Sequence, residues 1–110
     1  MTKNNEFKKL EDLWKTIEER AANSSPEDSY VSNLLSKGIK ECAKKLGEEA
    51  IETSLAALSM NRKETIKESA DLLFHLLVLW NSAGLKPAEI MEELKKREPI
   101  SGLTEKQNRK

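Results

Sequence analysis

Between Ala70 and Trp80, in the stretch ESADLLFHLLVLW, nine of eleven residues are apolar, and only Asp71 and His75 interrupt them. Read as a helix, this run offers water no wholly polar face, so Asp71 and His75 are expected to be at least partly buried. An ionised carboxylate in such a place costs several kcal/mol unless a cation, hydrogen bonds or a proton compensates it. The run spans ~16 Å as a helix, well short of the ~30 Å hydrocarbon thickness of a bilayer. It is therefore the wall of a protein core, with Glu68 and Asp71 requiring an explanation.

The rest of the chain supports helix throughout. Only four glycines and three prolines punctuate 110 residues, and the segments between them carry apolar side chains at spacings of three and four, which predicts an all-α fold. Leu10, Leu13, Trp14 and Ile17 stripe a first helix over about residues 6–22. AANSSPEDS is the turn after it, with Ser25 as a helix cap and Pro26 in a first helical turn. Tyr30, Leu34 and Leu35 fit a short helix to about Ser36. Gly38 allows a bend, and Ile39, Ala43, Leu46, Ala50, Ser54 and Ala57 continue one stripe to about Met60. Asn61 can cap a third helix of roughly 22 residues ending near Gly84, and Pro87 can begin a shorter one carrying Ile90, Met91 and Leu94. Pro99 is expected to end the order. Residues 1–97 then form a single domain, and 98–110 a polar, loose tail.

A chain of this length is expected to build one core and one site. Its 19 basic and 19 acidic residues cancel, which removes the electrostatic argument for nonspecific nucleic-acid or anionic-membrane binding. Cys42 is the only cysteine, so an intramolecular disulfide or thiolate metal cluster is out of reach and a reducing compartment fits best. With no apolar signal core in MTKNNEFKKL, a soluble cytoplasmic protein is expected. The third long helix carries stripes of Ile66, Leu73, Leu77 and Trp80, of Leu72, Leu76 and Leu79, and of Phe74 and Val78. That is more apolar girdle than its short neighbours can cover, and a second copy of the chain is the natural cover.

Chemistry concentrates in two carboxylate pairs. Glu49 with Glu52, and Glu68 with Asp71, are three residues apart, which on a helix places each pair on one face. Glu48 and Glu52 are neighbours at four. The connection from Ser59 to Lys63 is short, so the two helices run antiparallel; Glu52 is nine residues before Asn61 and Asp71 ten after it. The pairs can thus converge at one height, where mutual repulsion raises at least one pKa unless cations intervene. Hard oxygen donors favour Mg²⁺ or Mn²⁺ over zinc or copper, and Mg²⁺ commonly binds through a few carboxylates plus substrate phosphates. A phosphorylated substrate follows. Lys45, three before Glu48, can meet a phosphate; His75, one turn beyond Asp71, is either a core histidine or a partner of that acid. The competing reading is of acids that only solvate a helical adaptor.

These residues resemble a known pattern. EEAIE at 48–52 followed by ESAD at 68–71 is similar to the EExxE and ExxD signature of the all-α, MazG-like nucleoside triphosphate pyrophosphohydrolases. LEDLWKTIEER, PEDSYVSNLLSKG, KKLGEEAIET, ESADLLFHLLVLW and LKPAEIMEELKKR, in that order, resemble the phosphoribosyl-ATP pyrophosphohydrolases of histidine biosynthesis over residues 8–97. The resemblance implies a bundle of four to five helices assembled as an intertwined homodimer. It also implies Mg²⁺-dependent hydrolysis of phosphoribosyl-ATP to phosphoribosyl-AMP and pyrophosphate. Glu49, Glu52, Glu68 and Asp71 would hold the metal, Glu48 would orient or deprotonate the attacking water, and Lys45, Ser29, Tyr30 and His75 would contact substrate. Val31 stands where the family pattern has a threonine, and a chain of this length corresponds to the form without a fused cyclohydrolase. A housecleaning enzyme for noncanonical nucleoside triphosphates is the alternative within the superfamily.

Overall fold

The structure, a computed structural model, describes residues 5–98, and every regular element among them is helical. The order is α1 Lys8–Asn23, α2 Tyr30–Ser36, α3 Ile39–Leu58, α4 Arg62–Ala83 and α5 Pro87–Arg97. The all-α expectation of four to five helices is met. The expected ending at Pro99 and the tail beyond it lie outside the described residues.

The α3/α4 hairpin is the most extensive helix pairing. Asn61 makes the reversal: its side-chain oxygen accepts from the Glu64 amide at 3.0 Å, satisfying one of the unpaired donors at the start of α4. At the other end of α4, Gly84 takes a left-handed conformation at φ 77°, and the Leu85 amide donates back to the Trp80 carbonyl at 2.8 Å. Pro87 opens α5, whose Glu89 side chain accepts from the Lys86 amide at 3.2 Å.

The core sits at one end of this hairpin, where α1 and α2 close over the C-terminal half of α4. Ile17 of α1, Leu34 of α2, Cys42 of α3 and Val78 of α4 are essentially fully buried, joined by Trp14, Val31 and Leu77. Full burial of an aliphatic side chain contributes ~1.5–3 kcal/mol, so this small cluster carries most of the single chain's cohesion. Val31 is therefore a packing residue. The hydroxyl of Ser32, also buried, lies 2.7 Å from the Arg20 carbonyl and 2.9 Å from that of Ser24, which ties the end of α1 to α2.

Three expectations are corrected. Ser25 does not cap the second helix: Ser25 to Asp28 form a turn, with the Ser25 hydroxyl donating to Asp28 at 2.9 Å. Ser29 is the cap, accepting from the Ser32 amide at 3.2 Å. On α3 the line Ile39, Ala43, Ser54 and Ala57 is exposed, while Cys42 and Ala56 are buried and Leu46, Glu49 and Thr53 half-buried. The packed face of α3 is thus offset from the most apolar one, because α4 is met by the row that includes Glu49. Asp71, finally, is exposed. The α4 residues that join the core with α1 and α2, Phe74, Leu77, Val78, Leu79 and Trp80, lie in its C-terminal half, and Ile66, Asp71 and Leu73 are left open.

Candidate metal and substrate site

The antiparallel hairpin brings α3 acids against α4 acids. Carboxylate oxygens of Glu49, Glu68 and Asp71 lie within 4.8 Å of one another, so three of the four residues expected to bind metal form one tight group. Glu49 and Glu68 are half-buried, and one oxygen of each (Oε1) is sealed from solvent with no hydrogen-bond donor among the described residues. Buried oxygens are ordinarily satisfied; two orphaned ones beside a third carboxylate are a donor set that a cation would satisfy.

The electrostatics agree with the geometry. Desolvation pushes Glu68 up to about 7 from its ordinary 4.5, with the neighbouring carboxyl groups of Glu49, Glu64 and Glu52 adding to it. A proton shared between carboxyl groups is the relief available without a cation. The donor set is all oxygen, which suits Mg²⁺ or Mn²⁺, and its orphaned atoms fit a small divalent ion.

The remaining expected residues surround this trio. Glu52 is exposed and lies outside the tight group; with Glu64, Glu68 and Asn61 it lines an open groove of about 280 Å³ at the hairpin end. Glu48 is exposed and pairs with Lys45 at 3.7 Å, so the lysine stands beside the acids with its charge partly committed. His75 is buried, and its Nδ1 has no partner among the described residues. Burial holds the imidazole below its usual pKa although the charges of Glu49 and Asp71 pull the other way. Ser29 is buried and its hydroxyl oxygen serves as a helix cap. Tyr30 is exposed and meets Phe74 and His75 through its ring.

Two residues beside the site escaped the sequence reading. Glu64 contributes to the raised pKa of Glu68; it stands in the first turn of α4, four residues before Glu68, a spacing that places both on one helix face. Phe74 packs on Tyr30, a contact 44 residues away in sequence that no local pattern announces.

Comparison with known proteins gives the same direction. A profile of the phosphoribosyl-ATP pyrophosphohydrolase family matches residues 10–98. The chain is 48% identical over 100 residues to a phosphoribosyl-ATP pyrophosphatase of Sinorhizobium medicae, covering 91% of this chain and 92% of that protein. It is 50% identical over 101 residues to phosphoribosyl-ATP pyrophosphatase 1 of Bradyrhizobium diazoefficiens, covering 92% and 94%. A relative from Granulibacter bethesdensis, also named a phosphoribosyl-ATP pyrophosphatase, is 47% identical over 100 residues, and the chain spans 62% of its length. With the acid-bearing helix hairpin of the fold and a profile match over nearly all described residues, the chain belongs to the phosphoribosyl-ATP pyrophosphohydrolase family.

Proposed function

We propose that the protein hydrolyses phosphoribosyl-ATP to phosphoribosyl-AMP and pyrophosphate, the second step of histidine biosynthesis, with Mg²⁺ as its metal and Mn²⁺ as a substitute. The observation that carries this reading is the Glu49, Glu68 and Asp71 cluster with its two orphaned, buried oxygens. Mg²⁺ bound there supplies charge compensation for phosphate oxygens and a more acidic water.

The chain's own groups do the rest. Glu49 and Glu68, half-buried, and Asp71, open to solvent, would hold the ion, and the exposure of Asp71 would keep the site accessible to substrate phosphates. Glu52, on the edge of the adjoining groove, would complete the metal set. Glu48 orients or deprotonates the attacking water, and Lys45, released from its 3.7 Å pairing with Glu48, binds phosphate oxygens. The α–β anhydride bond breaks, and the elements of water divide between phosphoribosyl-AMP and pyrophosphate. Ser29 acts by holding the start of α2, and with it Tyr30, in place.

The protein acts as a homodimer. Ile51, Leu55 and Leu58 stripe the outer face of α3 at 62%, 57% and 80% exposure, and Ile66 and Leu73 are open on α4. Apolar patches of this kind on a small chain mark an interface. No described helix is long and apolar enough to cross a membrane, so a second copy is the cover proposed.

Pyrophosphate release from phosphoribosyl-ATP, measured beside ordinary and modified nucleoside triphosphates with Mg²⁺ and with chelator, tests the assignment. Mg²⁺-dependent turnover preferring phosphoribosyl-ATP is expected, with a melting temperature raised by millimolar Mg²⁺ as for any ligand of the folded state. Preference for modified triphosphates would assign a housecleaning role instead, and indifference to metal in both assays would leave a helical adaptor.

A further inference from the structure

One group of side chains remains unused by the hydrolysis. Tyr30, the first residue of α2, holds its ring nearly parallel to that of Phe74 on α4, with centroids 6.0 Å apart and planes 17° apart. His75 stands edge-on to both, 6.1 Å from Tyr30 at 86° and 5.0 Å from Phe74 at 81°. An aromatic pair of this geometry stabilises a fold, yet Tyr30 stays 55% exposed. Core packing accounts for Phe74, which lies against the hydrophobic cluster; it does not account for an ordered tyrosine ring left open to water.

Location suggests what the open ring meets. Phe74 and His75 follow Asp71 by three and four residues, so the aromatic group lies about one helical turn, ~5.4 Å, beyond the acids on α4. The charges felt most by His75 are those of Glu49, Asp71, Lys45 and Glu48; the histidine is the shared wall of the acid cluster and the aromatic group. A ligand whose phosphates sit at the acids has its next portion beside these rings. The aromatic faces carry no formal charge, which selects a flat, neutral or electron-poor ring over a further phosphate.

We infer that Tyr30, backed by Phe74 and held in plane by His75, is the stacking surface for the purine ring of the nucleotide. This rests on the nucleotide substrate proposed above and names the part of it that α2 recognises. Tyr30 touches the base; Phe74 and His75 are positioning residues, with the His75 edge setting the planes of the two rings. Base stacking tolerates substitution among flat rings and depends on aromatic area, so the interaction follows the ring of residue 30 and not its hydroxyl.

Tyr30 is the only tyrosine in the chain, so 3-fluorotyrosine incorporation labels this position alone. Titration with AMP in the presence of Mg²⁺ is expected to shift the fluorine resonance, and titration with pyrophosphate or ribose 5-phosphate to shift it far less. Tyr30→Leu is expected to weaken AMP binding by about 5- to 150-fold, the range for loss of one stacked base, and to raise KM for phosphoribosyl-ATP more than it lowers kcat. Tyr30→Phe is expected to recover most of the affinity. Absence of an AMP-dependent shift at millimolar AMP, or equal AMP affinity in wild type and a folded Tyr30→Leu, overturns the inference. Failure of the wild type to hydrolyse phosphoribosyl-ATP, while AMP still shifts the resonance and Tyr30→Leu still weakens AMP, would remove the proposed reaction and leave the purine surface standing.

Discussion

Desolvation, reinforced by the carboxylates of Glu49, Glu64 and Glu52, raises the pKa of Glu68, and that makes it a reporter of whether the site is filled. Its folded pKa of about 7 exceeds the ordinary 4.5, so the folded state binds more protons than the unfolded one in between. The associated stability is fully present below 4.5 and is lost as pH rises through about 7. His75 works in the opposite sense: with its pKa held below 6.5 by burial, its contribution is present above 6.5 and lost as pH falls. Comparing wild type with Glu68→Gln, both metal-free, isolates the carboxylate. The melting temperature of the wild type is expected to fall relative to the variant between pH 5 and 8, and Mg²⁺ to abolish the difference in slope by displacing the proton; parallel pH profiles without metal would show that Glu68 is not so perturbed. Asp71 gives a second residue-scale test, sharpened by its exposure. A side chain open to water contributes little to the core, so Asp71→Asn is expected to fold normally, with unchanged or higher metal-free stability because one like charge is gone. Pyrophosphate release is expected to drop by at least ~100-fold, the lower end of what losing a key electrostatic group costs. Near wild-type turnover at saturating Mg²⁺ would remove Asp71 from the metal set.

Two glycines, one at the start of α3 and one inside it, show how elements are set by backbone conformation rather than by contact. Gly38 joins α2 to α3 at φ 94°, ψ 170°, a region that side-chain-bearing residues occupy at a cost of ~1–3 kcal/mol. A methyl group there would meet nothing within 4 Å, so Gly38→Ala is expected to destabilise through conformation alone, lowering the melting temperature by several degrees. Gly47, inside α3 and with equally open surroundings, predicts the reverse: Gly47→Ala is expected to add ~0.5–1 kcal/mol of stability. Thermal melts of both variants check the pair, and equal shifts would contradict it. The same contrast explains what could be read from the sequence. Helix bounds were legible because Gly38, Asn61, Gly84 and Pro87 are local signals, and the acid trio was legible because a short turn fixes which α3 residue faces which α4 residue. The Asp71 environment was not, since its exposure depends on how far α1 and α2 extend along α4. Nor was the true packed row of α3, where Cys42, Glu49 and Ala56 win over the more apolar Ile51, Leu55 and Leu58. A hydrophobic pattern says which face seeks cover and leaves open which chain provides it.

At the scale of the whole molecule, cohesion is uneven. The buried cluster lies at the α1/α2 end, whereas the turn end of the hairpin, where the acids converge, is walled by two helices with apolar outer stripes: Ile51, Leu55 and Leu58 on α3, Ile66 and Leu73 on α4. α5 adds Met91 and Leu94, each more than half exposed. A two-helix layer of this kind has little to hold its carboxylates in register, and like charges at close range act to spread them. A second chain laid over the outer stripes would bury them and brace the acid face, which couples assembly to metal binding. The two kinds of leucine on α4 distinguish this dimer from simple core packing. Leu77 is 4% exposed and already inside the single chain's core, so Leu77→Lys is expected to unfold the protein outright and says nothing about a partner. Leu73 is 42% exposed and Ile66 59%, so in an isolated chain Leu73→Lys and Ile66→Glu would be nearly neutral, within ~0.5 kcal/mol as for other surface changes. In the proposed dimer they insert charges into an apolar interface. Sedimentation of the wild type as a dimer at micromolar concentration is therefore expected, with both variants shifting to a folded but less stable monomer whose melting temperature responds more weakly to Mg²⁺. A wild type that sediments as a monomer, with Leu73→Lys and Ile66→Glu melting as it does, would mean that these stripes remain solvent-facing and that the acid site is braced by α3 and α4 alone.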